Sequence, residues 1–81
     1  MRAAVEWTEA AKRDLLSIPW RSAARVDREV MHYAATSEGD LRVVRGDVSA
    51  PLRLFVRPYL VRMSFDASTC TFLVWRVLRA R

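Results

Sequence analysis

Arginine and aromatic side chains are threaded through residues 52–77, LRLFVRPYLVRMSFDASTCTFLVWRV, and most of the chain's chemistry is concentrated there. Successive side chains of a strand point to opposite faces. The spacing therefore turns Leu52, Leu54 and Val56 one way and Arg53, Phe55 and Arg57 the other. Farther on, Arg62 and Trp75 fall on that second side. A guanidinium offers a planar fork of donors that fits phosphate oxygens and stacks on bases, and aromatic rings give bases a surface to lie on. Such a face suits either a polyanion or a protein segment that covers its apolar part.

Three antiparallel strands would carry these residues. Tyr59, Val61, Met63 and Phe65 alternate with Leu60, Arg62 and Ser64, the period of a half-buried strand. Asp66-Ala67-Ser68-Thr69 reads as a four-residue hairpin loop. The return strand, Cys70 to Val77, is expected to pair Phe65 with Cys70, Met63 with Phe72, Val61 with Val74 and Tyr59 with Arg76. Arg57-Pro58 makes the preceding turn, since proline fixes φ and donates no ladder hydrogen bond.

The first half of the chain supplies what covers the apolar side. Ala3 to Trp7 reads as a short strand. Thr8 is placed to cap a helix from Glu9 to about Ile18, with Glu9 at the positive end of its dipole. Ala11, Leu15 and Ile18 form its apolar face, Lys12, Arg13 and Asp14 are expected to be mostly exposed, and Pro19 ends it. A second helix is expected from Arg21 or Ser22 to Ser37, with Ala23, Val26, Val30, Tyr33 and Ala34 on one stripe. Gly39 is the expected left-handed stop. A strand from Leu41 to Val44 and a loop from Gly46 to Pro51 follow. The order is an α+β pattern: an N-terminal strand, a two-helix hairpin, then a four-stranded, mainly antiparallel sheet with the helices on one face and the other face free. Residues 1–81 read as a single domain.

Composition narrows the partners. Eighty-one residues, 52% of them hydrophobic, make one small globular unit, of a size that buries only about 60% of its unfolded surface. A single cysteine excludes an internal disulfide and a cysteine-rich metal site. No apolar run is long enough to span a bilayer, and the start lacks a leader pattern, so a cytoplasmic protein without membrane contact is expected. Residues 1–40 carry six basic and seven acidic side chains, residues 41–81 eight basic and two acidic, so the net charge of +5 lies in the second half. Thirteen of the fourteen basic residues are arginine. His32, the one histidine, is expected on a helix surface, Cys70 in the core, and Glu6, Glu9 and Asp14 converge with no nucleophile.

Four segments, VEWTEAAKRDLLSIP, EGDLRVVRG, LRLFVRPYLVRMSFD and LVWRVLRAR, together resemble the RelE/ParE superfamily of toxins from bacterial type II toxin–antitoxin systems. The likeness spans essentially the whole chain, through the order and spacing of short, tolerant motifs. It implies a toxin held by a cognate antitoxin. RelE-like members are ribosome-dependent mRNA endoribonucleases that use no metal or other cofactor; ParE-like members inhibit DNA gyrase instead. Carried over residue by residue, the resemblance matches Arg53 to a phosphate-holding position and places Arg79 and Arg81 in the basic stretch ending the last strand; with Arg62, which projects from the same face as Leu60, these form the expected catalytic set. Arg42, Arg45, Arg57 and Arg76 would hold RNA phosphates, with Phe55 and Trp75 stacking on bases or meeting the antitoxin. Leu60 stands where the family commonly has an arginine, Phe55 where a basic residue is frequent, and Ala80 replaces a terminal basic residue. These departures keep open the gyrase-directed alternative and that of a toxin homologue that only binds its antitoxin.

Overall fold

A computed structural model describes residues 2–80. The elements in chain order are β1 (Ala4–Trp7), α1 (Glu9–Leu16), α2 (Trp20–Thr36), β2 (Asp40–Val43), β3 (Leu52–Val56), β4 (Tyr59–Asp66) and β5 (Thr71–Arg79). The strands form one mixed sheet in the order β1, β5, β4, β3, β2. It has five strands rather than four, because β1 joins the edge in parallel with β5, from Ala4 opposite Thr71 to Trp7 opposite Val74. The remaining neighbours are antiparallel.

One face of the sheet is the core. Leu54, Val56, Tyr59, Val61, Met63, Val74 and Val77 are each at most 4% exposed and pack with Val26 and Val30 of α2 and Ala11 of α1. The alternation in β3 and β4 thus places the apolar residues where the sequence puts them. Thr8 caps α1 as its spacing predicts: its hydroxyl oxygen accepts the Ala11 N–H at 3.1 Å and its O–H donates to the Trp75 carbonyl at 2.9 Å. Helix α1 ends at Leu16, short of Ile18, where the Ser17 N–H closes back on the carbonyls of Arg13 and Asp14. The left-handed stop after α2 is Ser37 at φ 62°, not Gly39.

The β4–β5 hairpin departs from the expected register. Phe65 faces Phe72, Met63 faces Val74, Val61 faces Val77 and Tyr59 faces Arg79. Two causes act in sequence. β4 runs on to Asp66 and the turn holds Cys70, at φ 50° and half-buried rather than in the core, so the first pair is Asp66–Thr71 and the register moves by two residues. Trp75 is then an extra residue between the Met63–Val74 and Arg62–Arg76 pairs, a β-bulge. The bulge lets Val74 and Val77 both reach the core while Trp75 and Arg76 stay exposed. Beyond the end of β1 the edge of β5 is met by α1 instead of a strand, and the Asp14 carboxylate accepts the Val77 N–H at 2.9 Å. Asp14 is therefore a structural partner of β5, contrary to the expected exposed position.

Candidate functional site

On the face away from the core, the register lines up arginines. Arg42 of β2 is opposite Arg53 of β3, Arg53 is opposite Arg62 of β4, and Arg62 is opposite Arg76 of β5. With neighbouring strands ~4.8 Å apart, the row crosses four strands over roughly 14 Å. Like charges set directly across a ladder repel, and each position is answered by a carboxylate. Asp47, from the loop between β2 and β3, accepts from Arg53 Nη2 at 2.8 Å and Arg62 Nη2 at 2.9 Å on a single oxygen, Oδ2. Its other oxygen takes the Ala50 N–H at 3.1 Å and the Ser49 hydroxyl at 3.2 Å. Asp14 grips Arg76 through both oxygens, at 2.8 and 3.1 Å. Arg42 Nε lies 3.6 Å from Asp40.

The same loop folds over part of this face, which is less open than expected. Ala50 is buried at 2% exposure, while its neighbour Val48 is 95% exposed. Between that loop and the first turn of α1 is a cleft of about 470 Å³, lined by Thr8, Glu9, Ser49, Arg62, Trp75 and Arg76 among others. The Trp75 indole N–H donates to the Ser64 hydroxyl at 2.9 Å, which fixes the ring on the arginine side of the sheet. At the opposite corner the Phe55 ring lies between the guanidinium groups of Arg42 and Arg57, 5.0 and 5.8 Å from its centroid. Arg25 donates to the Arg57 carbonyl at 2.6 Å and ties that corner to α2.

The site residues read from the sequence thus divide. Arg42, Arg53, Arg62 and Arg76 stand in one row, with Trp75 beside it and Phe55 and Arg57 at its end. Arg45 is exposed in the loop next to Asp47. Arg79 is outside the row: its register partner is the core residue Tyr59, so it stands on the opposite side of the sheet. Arg81 lies outside the described residues. His32 sits on α2, 3.3 Å from Glu38 and on an element remote from the row. The sequence reading missed Asp47 and Asp14. Asp47 does leave a trace, being one of two acidic residues in the basic half and directly after Gly46.

Both carboxylates titrate low. For Asp47 the Ala50 N–H is the leading cause, assisted by the Arg62 and Ser49 hydrogen bonds, which together outweigh its partial burial. Burial raises Asp14, but the Arg76 bonds, the Val77 N–H and the charge of Arg13 overcome it. Folded values below the unfolded 3.8 mean that both groups stabilise the fold above that pH. The contribution is lost as pH falls through the depressed values. Urea midpoints are expected to drop between about pH 5 and pH 2, with a shallower slope in Asp14→Asn and Asp47→Asn.

No protein-family model matches the chain and neither does any curated protein sequence. Solved structures do. The RelBE2 toxin–antitoxin complex of Mycobacterium tuberculosis contains a chain similar at TM-score 0.84 and 20% identity, over 98% of this chain and 99% of that one. The archaeal RelE–RelB complex of Pyrococcus horikoshii OT3 follows at 0.79 and 14% identity, over 98% and 96%. The RelB–RelE antitoxin–toxin complex of Methanococcus jannaschii gives 0.71 and 17%, over 90% and 87%. Agreement across nearly the whole length of both chains gives this protein a RelE-like fold.

Proposed function

We propose that this chain is the toxin of a type II toxin–antitoxin pair and a metal-independent endoribonuclease that cuts mRNA on the ribosome. The carrying observation is the row of arginines on adjacent strands, Arg53 and Arg62 at its centre. In this reading Arg53 and Arg62 bind the non-bridging oxygens of the scissile phosphate. The neighbouring 2′-oxygen attacks phosphorus, the bond to the 5′-oxygen breaks, and a 2′,3′-cyclic phosphate and a 5′-hydroxyl result. Guanidinium groups are too weakly acidic to serve as bases at neutral pH. Their part is to stabilise the negative charge that builds on the phosphorane, while the two protons move through water. Trp75 offers a base a ring to stack on, and Arg42 and Arg76 extend the grip to adjacent phosphates.

The structural neighbours are toxin–antitoxin complexes, which supports a cognate antitoxin as the physiological partner of this chain. Expression of the chain alone is expected to arrest growth and to produce new RNA 5′ ends within translated codons, and co-expression of a neighbouring antitoxin gene to abolish both. DNA breaks with intact messages would assign the toxin to gyrase instead. Normal growth with retained antitoxin binding would leave only a binding protein.

A further inference from the structure

The arginine pair at the centre of the row is already occupied. One oxygen of Asp47 receives both Arg53 and Arg62, the geometry in which two guanidinium groups would share a phosphate oxygen. The carboxylate is aimed by its own loop, since Oδ1 is held by Ala50 and Ser49. Little apolar packing holds that loop down. Val44, Val48 and Ser49 are exposed, only Ala50 is buried, and a Val44 N–H to Pro51 carbonyl bond of 2.7 Å closes the neck. The loop is thus fastened to the sheet chiefly through the groups that an incoming phosphate would claim. Arg62 meanwhile spends Nη2 on Asp47, and its buried Nε has no partner among the described residues.

We propose that Asp47 is an internal substitute for phosphate: it closes the Arg53–Arg62 site in the unbound chain, and a substrate phosphate displaces it together with the loop of residues 44–51. The inference rests on reading that arginine pair as the phosphate site of the proposed nuclease. It adds that the site is self-blocked. Carboxylate and phosphate compete for the same Nη2 donors, so binding of one requires departure of the other. Without the carboxylate, the facing arginines would also repel one another across the ladder, which favours a resident anion whenever substrate is absent.

Titration of the full chain with inorganic phosphate, followed through the guanidinium resonances of Arg53 and Arg62, tests the exchange without RNA. Asp47→Asn keeps the shape and removes the charge, and is expected to tighten phosphate about tenfold, the effect of losing one contacting charge at a partly exposed site. Adding Arg62→Ala to Asp47→Asn is expected to cancel the gain. Equal or weaker phosphate binding in folded Asp47→Asn overturns the proposal, as does failure of both proteins to bind phosphate. Should Asp47→Asn fail to fold, the unsubstituted chain decides: phosphate is expected to speed hydrogen exchange at the Ala50 amide. Arginine shifts with unchanged Ala50 protection overturn the exchange. A chain that shows the exchange yet cuts no RNA refutes the nuclease reading and retains the self-blocked site; a chain that cuts RNA with the loop closed does the reverse.

Discussion

If the chain is the proposed nuclease, Arg62→Ala is expected to lower ribosome-dependent cleavage by about 10²–10³-fold, the usual cost of removing one group aimed at developing charge. Growth arrest is expected to disappear with it. Arg62 holds the central place in the row, between Arg53 and Arg76, and lines the cleft with Trp75. Arg53→Ala is expected to act in the same direction. In either variant Asp47 keeps its remaining arginine and its loop bonds, so the melting curve is expected to change far less than the activity. Arg79→Ala serves as the comparison, because its register partner is a core residue on the other side of the sheet. Cleavage assays on programmed ribosomes with the three variants measure this directly. Full activity in both Arg53→Ala and Arg62→Ala would remove the row from the mechanism.

The largest effect on stability is expected at Leu54. It is 2% exposed in the middle of β3, between β2 and β4, and packs in the cluster that includes Val26 and Val30. Truncation to alanine is expected to cost ~3 kcal/mol, the transfer energy of the lost carbons plus the cavity they leave. A domain this small has only about 5–10 kcal/mol in total. The melting temperature should therefore fall by roughly 12–24 °C. Val48→Ala, at a residue 95% exposed, is expected to stay within about 0.5 kcal/mol. Urea denaturation of the two variants separates these outcomes. A small loss at Leu54 would mean that α2 does not seat on the sheet as described.

The elements legible in the sequence were those fixed by local rules. Thr8 announces a helix start through its hydroxyl, and the alternation from Tyr59 to Phe65 assigns each side chain of β4 to a face; Pro19, expected to end the first helix, instead precedes α2, and α1 stops earlier at Leu16. The parallel β1–β5 pair was not legible, because nothing in four residues names a partner 67 positions away. Neither was the bulge. Strict alternation through Val74, Trp75, Arg76 and Val77 sends Arg76 to the core side, and only the packing of both valines shows that one residue is extra. The site was half legible for the same reason. Arginines on the outward positions of β3 and β4 follow from periodicity, whereas their acidic counterparts sit in a loop and on a helix and carry no periodic mark. Asp14 meets Arg76 across 62 residues, and Asp47 meets Arg62 across 15.

The order of synthesis gives the β1–β5 pair a further meaning. Residues 4–7 are made before every other described element, yet the strand they must join, Thr71–Arg79, is made after all of them. Closing so long a loop is slow and must precede any reward from the contact. Arg76 likewise enters the row only when β5 docks on β4. A chain synthesised only as far as β4 therefore lacks both the partner of β1 and the Arg76 end of the arginine row.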